Sequence, residues 1–190
     1  MNLNEKYEHI IQDLLQEKSD DPIAIVQHIM TRDYISMHGA EHHFLDGAAL
    51  LVALYNKGLV KDLSKQLDAL AQRSIKMPGA MCGHWGVCGS SASIGAALSV
   101  FHETGPLSHS IDYKEHMALT SLIIAREGQI GGPRCCKRNA FIALSTAVEF
   151  IKETYGIELT SQPVKCHFSQ YNSQCLHLKC PFYIEKEQSL

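Results

Sequence analysis

Apolar residues recur at helical spacing along most of the chain. Near its start, for example, Leu3, Tyr7, Ile10 and Leu14 would share one face of a helix. The whole pattern predicts seven helices, at about residues 3–18, 22–32, 40–56, 61–75, 90–103, 112–127 and 136–155. Apart from a short stretch near Pro163, the apolar–polar alternation that is typical of strands is absent. We therefore expect an all-α fold.

Some of these segments are expected to lie in the interior. The segment 40–56 is apolar on nearly every side after Phe44, which predicts a central helix. The segment 61–75 alternates charged and apolar faces, as a surface helix does. The segment 90–103 is rich in Gly, Ala and Ser, and such small side chains allow close approach of a neighbouring helix.

The helical pattern stops after Gly156. The remaining sequence, SQPVKCHFSQYNSQCLHLKCPFYIEKEQSL, has no helical period. So long an irregular segment needs something to hold it, and a bound metal is a natural candidate. We expect one α-helical bundle domain over residues 1–190, with N-terminal helices in 1–35, a helical core with cysteine loops in 36–156 and a Cys-rich metal-binding tail in 157–190.

Composition and charge favour a cytoplasmic globular protein. The 190 residues suit one domain, and the hydrophobic content of 45% argues against disorder. The net charge is −3, from 17 basic and 20 acidic residues, so we expect neither a nucleic acid nor a membrane as partner. The first residues lack the pattern of a secretion signal, and the longest apolar stretch, GAALLVALY, is too short to span a bilayer.

Seven cysteines, together with eleven histidines, are the main chemical feature of this composition. In a reducing compartment they are not expected to form a disulfide framework, and an odd number suits disulfides poorly. They fall in three short segments rather than being scattered along the chain. This grouping indicates a site.

The first segment, CGHWGVC, contains Cys82, His84 and Cys88. Its glycines let the backbone turn tightly and approach a ligand. A thiolate at the start of the following helix would be stabilised by the helix dipole and by free amide donors. We interpret His84 as a reactive group, and Cys82 and Cys88 as a second reactive pair or a second set of metal ligands. The alternative is a glycine turn with two buried thiols packed on Trp85.

The second segment, GGPRCCKRN, places Cys135 and Cys136 among the cations Arg134, Lys137 and Arg138. Nearby cations and a helix start lower the pKa of a thiol, and the thiolate is the form that binds metals and attacks electrophiles. Adjacent side chains do not share one face of a helix, so the two thiols should differ in role. The alternative is a cation-flanked helix cap with incidental thiols.

The third segment supplies Cys166, Cys175 and Cys180, the last followed by Pro181. Its spacing is looser than the paired CxxC of zinc ribbons. Three thiolates in an irregular loop, the last before proline, fit iron–sulfur ligation better. The fourth ligand could be Cys135 or Cys136, a histidine of the tail (His167 or His177), or no protein group. The alternative is a structural zinc site that pins the tail.

A histidine-rich stretch, HGAEHH, precedes the predicted central helix. If it is helical, His38, Glu41 and His42 share one face that continues into the core. Buried imidazoles and carboxylates need partners. These groups could bind metal, or Glu41 could orient a histidine that acts as acid or base. The alternative, a hydrogen-bonded core network, remains open.

Four stretches together resemble a prokaryotic domain family of unknown function. They are HGAEHHFLDGAALL, MPGAMCGHWGVCG, GGPRCCKRNAFIAL and CHFSQYNSQCLHLKCPF, which occur in this order from about residue 38 to 182. The resemblance does not cover the first 35 residues. It implies an occurrence in anaerobes and methanogens, and an association with methyltransferase-like or radical-SAM proteins. An anaerobic setting is consistent with an oxygen-sensitive cluster such as 4Fe–4S.

The leading hypothesis is an iron–sulfur protein with redox or sulfur-transfer chemistry on a small molecule. The three cysteine segments would meet around one buried site, which the face of His38, Glu41 and His42 adjoins. A second hypothesis is a zinc-stabilised module that docks on a methyltransferase or radical-SAM partner. A third is a metal-free thiol enzyme in which Cys135 and Cys136 are the nucleophile and the resolving thiol.

Overall fold

The computed structural model describes residues 1–185, and this part of the chain folds into one compact all-helical domain without strands. Its eight α-helices are α1 (Leu3–Leu14), α2 (Pro22–Ile29), α3 (His42–Asn56), α4 (Leu63–Ser74), α5 (Met81–Trp85), α6 (Gly89–Phe101), α7 (Ile111–Ile130) and α8 (Cys136–Tyr155). The expected all-α fold is confirmed. The seven predicted helices are all present, and the short helix α5 is additional.

Helix α3 lies at the centre of the molecule. Every residue from His42 to Leu54 is buried, and α3 contacts α1, α2, α4, α6 and α8. A helix that is apolar all round can be stable in water only when other elements cover each of its faces. The prediction of a central helix is therefore confirmed.

The small residues of α6 allow this helix to approach α3 closely. The backbone N–H of Gly47 donates a hydrogen bond of 2.9 Å to Ser93 Oγ, which is fully buried between the two helices. A Cβ atom at position 47 would lie 2.5 Å from the carbonyl oxygen of Ser93. Because position 47 has no side chain, the backbones of α3 and α6 approach each other closely here.

Helices α7 and α8 complete the bundle. The buried residues of α7 form one stripe, which consists of His116, Leu119, Ile123 and Glu127. Leu119 and Ile123 belong to the apolar core, whereas the stripe ends in a carboxylate. Helix α7 continues three residues beyond the predicted end at 127 and stops before Gly131, whose φ of 73° few other residues adopt.

The tail after Gly156 is irregular, as expected, up to the last described residue. It contains two single 3₁₀ turns, Ser169–Tyr171 and His177–Lys179. It docks on the helices through hydrogen bonds between side chains and its backbone: Asp21 Oδ2 accepts one from the N–H of Gln162, and Gln27 Nε2 donates one to the carbonyl of Lys165. Phe182 stacks edge-on against Phe141 of α8, at 5.5 Å between ring centroids. These contacts bring the three tail cysteines to the start of α8.

Among the described residues, no helix combines the length and the apolar character needed to cross a bilayer.

Candidate functional site

Four thiols line one small pocket between the start of α8 and the tail. This pocket, which we call the thiol pocket, has a volume of about 20 Å³ and is lined by Cys135, Cys166, Cys175 and Cys180. Its apolar walls are the side chains of Met37, Phe141, Phe168, Leu176 and Phe182. The second and third cysteine segments therefore meet in space, although more than 30 residues separate them in the sequence.

Local backbone structure holds the tail cysteines in this arrangement. The N–H of Cys166 donates to the carbonyl of Phe182 at 2.8 Å, which closes the tail into a loop. The N–H of Cys175 donates to the carbonyl of Asn172, and the N–H of Cys180 donates to that of His177. His177 has a φ of 48°, a conformation that non-glycine residues seldom adopt. Cys175 and Cys180 thus each follow a tight turn.

The sulfur atoms accept hydrogen bonds from groups around the pocket. Cys135 Sγ accepts from the backbone N–H of Arg138 at 3.5 Å and from Asn172 Nδ2 at 3.6 Å. Cys175 Sγ accepts from the backbone N–H of His177 at 3.4 Å. Such donors stabilise negative charge on sulfur, and they surround metal-bound thiolates in proteins.

The surroundings of Cys166 and Cys180 favour the protonated form of these two thiols as long as no cation is bound. Burial raises the pKa of Cys166 and of Cys180, and the neighbouring thiols act in the same direction. The positive charge of Arg138 opposes this effect at Cys180. A bound metal would add the positive charge that ionises the thiols.

The thiol pocket is not a closed site for a single ion. In the described part of the chain, no group of three or more His, Cys, Asp or Glu side chains is placed so that it could hold a metal ion. The four thiols therefore line one pocket without forming a ready-made site for one metal ion among the described residues.

Cys136 faces away from the thiol pocket. It is not among the residues that line it, and its surroundings include Gly39, Asp46 and Lys137. Burial raises the pKa of Cys136 to about 11, and the positive charge of Lys137 only reduces this effect. The prediction that the flanking cations lower the pKa of this thiol is wrong, because desolvation outweighs the attraction of one cation. The two adjacent cysteines do have different surroundings, as expected.

The three cations of this segment also have different surroundings. Arg134 is exposed. Lys137 is 1% exposed, its Nζ donates to the carbonyl of Ser36 at 3.1 Å, and it lies over the ring of Phe168. Burial lowers the pKa of Lys137 to about 8. Arg138 is buried, and its Nη2 donates to the carbonyls of Gly131 and Pro133, which fixes the loop before α8.

The stretch HGAEHH does not form the expected helical face. Helix α3 begins only at His42, so His38 lies in the preceding loop, where its Nε2 donates to Asn172 Oδ1 at 3.2 Å. Because Asn172 also donates to Cys135, His38 connects indirectly to the thiol pocket. The prediction of one face shared by His38, Glu41 and His42 is wrong, since a partly buried turn that contains Gly39 precedes the helix.

Glu41 and His42 are held by core contacts. Glu41 Oε1 accepts from Lys6 Nζ at 2.7 Å and from the N–H of Ser36 at 2.8 Å. Burial opposes ionisation of Glu41, but these hydrogen bonds outweigh it and hold its pKa at about 2. His42 Nε2 lies 3.1 Å from the carbonyl of Ser36 and 3.4 Å from Lys137 Nζ. The contacts of both residues are those of a buried polar network.

The first cysteine segment lines a second pocket. This glycine pocket has a volume of about 320 Å³; its polar lining is Cys82, Cys88, Glu127, Arg134, Arg138 and Asn139, and its glycines are Gly83, Gly86, Gly128, Gly131 and Gly132. His84 is exposed and does not line the pocket. The expectation that three cysteine segments meet at one site is therefore wrong. They form two pockets that share Arg138 as a common wall.

Cys88 and Glu127 lie together at the buried end of the glycine pocket. Asn139 Nδ2 donates to Cys88 Sγ at 3.1 Å. Burial and the nearby carboxylate of Glu127 raise the pKa of Cys88, so the expected stabilisation of its thiolate by the helix start is outweighed. Burial also raises the pKa of Glu127, to about 8, and the charge of Asp46 adds to the effect. Both groups hold their protons near neutral pH.

Four polar residues of these sites were not singled out from the sequence. Asp46 is fully buried in α3, where its Oδ2 accepts from Ser90 Oγ at 2.5 Å. A carboxylate within a largely apolar helix, as at Asp46, is a sequence signal for a buried polar site. Glu127 gives a similar signal, because it follows Ile123 by four residues on the buried stripe of α7. Asn139 and Asn172 offer no comparable signal, since their roles depend on contacts that are distant in sequence.

Comparison with known proteins supports the resemblance that the motifs indicate. No curated protein and no solved structure matches the chain. The sequence matches one protein family over residues 10–183, which includes all four motif stretches. The match begins at residue 10, within α1, so it covers most of the first 35 residues, contrary to the expectation that the resemblance leaves them out. The chain is therefore a member of the Family of unknown function (DUF5714).

Proposed function

We propose that this protein binds an iron–sulfur cluster through Cys135, Cys166, Cys175 and Cys180, and uses it in redox or sulfur-transfer chemistry on a small molecule. The observation that carries the proposal is the convergence of four thiols from two distant segments on one enclosed pocket. Four cysteine thiolates are the usual ligand set of such clusters.

The donor set supports iron and sulfide over hard cations. The ligating side chains of the thiol pocket are sulfur groups, and the soft thiolate favours copper, zinc and iron–sulfur clusters over magnesium or calcium. No histidine is among the residues that line the thiol pocket. We therefore assign the fourth ligand to Cys135 rather than to Cys136, His167 or His177, none of which lines the pocket.

The walls of the pocket would shield a bound cluster from water. Three phenylalanines and a methionine exclude water, and the N–H groups of Arg138 and His177 donate to the sulfur atoms. Hydrogen bonds to sulfur and low solvent exposure are the means by which proteins set the potential of a cluster. The buried cation Arg138 offsets part of the negative charge that four thiolates bring.

Serine substitutions at the adjacent cysteines of α8 give a matched test. Cys135→Ser should lose the cluster, whereas Cys136→Ser should keep it, because only the first thiol lines the thiol pocket. Cys135 is the N-cap of α8 and serine is a good N-cap, so a loss of metal would not result from fraying of the helix. Iron and sulfide content and the visible spectrum, measured on protein purified without oxygen, report the outcome.

The tail offers a second test of the same assignment. Cys175→Ser should remove iron and sulfide, and Cys82→Ser, in the other pocket, should leave them in place. A Cys175→Ser protein that kept both its metal and its fold would contradict the ligand assignment. Stoichiometric zinc in a colourless wild-type protein would also contradict it, and would favour the zinc-stabilised module instead.

A further inference from the structure

The glycine pocket beside the thiol pocket has the features of a built binding site. Glycines form part of its wall, and a Cβ atom added at Gly83, Gly128 or Gly132 would meet nothing within 4 Å. The missing side chains therefore leave open space rather than close packing. A volume of about 320 Å³ suits a small organic molecule.

The polar groups of this pocket are of two kinds. Arg134 and Arg138 contribute positive charge, and Cys88 and Glu127 contribute groups that carry protons near neutral pH. Glu127 is only 9% exposed, and its Oε1 has no hydrogen-bond partner among the described residues. A buried polar atom without a partner costs free energy unless a ligand or water satisfies it. This atom therefore indicates where a ligand's polar group would bind.

We infer that the glycine pocket binds a small organic anion, such as a carboxylate, with its negative charge toward Arg134 and Arg138 and a polar group near Glu127 and Cys88. The idea that this pocket is the substrate site of a cluster protein rests on the proposed function. As a binding site for anions, it depends only on the lining of the pocket. Arg138 connects the two sites, because it lines both pockets.

Alkylation of Cys82 by two reagents of similar size tests the inference. Iodoacetate carries a carboxylate, whereas iodoacetamide is neutral. The ratio of their rates at Cys82, resolved by peptide mass spectrometry, should be higher in the folded chain than in the same chain unfolded in urea. Two nearby cations should raise this ratio by about 3- to 10-fold, since solvent and salt weaken the attraction between exposed charges.

Two arginine variants separate the pocket from general electrostatics. Arg134→Gln should bring the ratio back toward its value in urea, and because Arg134 is exposed, the fold should tolerate the change. Arg32→Gln removes the same charge from a side chain that pairs with Asp13 outside the pocket, and should leave the ratio unchanged. An equal ratio in folded and unfolded protein, or a raised ratio that Arg134→Gln does not change, would overturn the inference.

The test gives different answers for this inference and for the proposed function. If the protein contains no iron but still shows the Arg134-dependent preference for iodoacetate, the anion site is supported and the iron–sulfur proposal is contradicted. If the protein contains iron and sulfide but shows no preference for iodoacetate, the iron–sulfur proposal is supported and the anion site is contradicted.

Discussion

Cys135 and Cys136 show how strongly one position along a helix start changes the chemistry of a side chain. Cys135 caps α8 and lines the thiol pocket, whereas Cys136 is buried against Gly39, Asp46 and Lys137. The flanking cations predicted lower thiol pKa values, yet the pKa of Cys136 is raised. Charges are visible in a sequence, but desolvation depends on what covers the side chain, and it is the larger effect here.

Glu127 gives a prediction on pH dependence at the same scale. Its carboxyl faces Cys88 and Ser91 of the α6 start, Asp46 of α3 and Arg138 of α8. Its folded pKa of about 8 lies above the usual 4.5, so between these pH values the folded chain holds a proton that the unfolded chain releases. The free energy of unfolding contributed by this group therefore falls as the pH rises through this window.

Glu127→Gln should remove this decline, because glutamine resembles the protonated carboxyl and does not titrate. Urea unfolding across the window should show the variant gaining on the wild type by on the order of 1–3 kcal/mol as the pH rises. Glu153→Gln, at an exposed position of α8, is the matched control and should follow the wild type. Equal pH dependence of the wild type and Glu127→Gln would show that Glu127 ionises normally.

At the scale of elements, the contact of α3 with α6 gives the next prediction. Gly47→Ala would place a Cβ 2.5 Å from the carbonyl oxygen of Ser93, and backbone cannot yield as a flexible side chain can. We expect a loss of about 1–3 kcal/mol in the free energy of unfolding, measured with urea.

Gly128→Ala in α7 is the matched control for this substitution. Its Cβ would meet nothing within 4 Å, so it should stabilise the chain by about 0.5–1 kcal/mol through the better helix propensity of alanine. If both substitutions changed the free energy of unfolding in the same direction, the close approach of α3 and α6 would not limit the residue at position 47.

The helices that sequence reasoning predicted are the long ones with a clear apolar stripe or an all-apolar surface. Their existence follows from local periodicity, which hydrophobic burial turns into structure. The five-residue helix α5 was missed because it has no buried residue and hence no such stripe. The shared face of His38, Glu41 and His42 was expected only if HGAEHH were helical, and spacing alone does not show that α3 begins as late as His42.

At the scale of the whole molecule, the sequence predicted which segments carry chemistry but not how they meet. Cys135, one of the candidates for the fourth ligand, lines the same pocket as the three tail cysteines. It does so because Asp21, Gln27 and Phe141 hold the tail beside α8. The segment with Cys82 lies instead in a separate pocket behind Arg138. Spacing within a segment constrains its own turns, whereas contacts between segments depend on the packing of helices far apart in sequence.

The central claim is that the four thiols of the thiol pocket bind an iron–sulfur cluster. Its most direct test is the iron and acid-labile sulfide content of the full chain purified without oxygen, together with its visible spectrum. The account predicts iron and sulfide in equal amounts and the broad visible absorption of a thiolate-bound cluster. A colourless protein that contains zinc, or that takes up neither iron nor sulfide on anaerobic reconstitution, would contradict it.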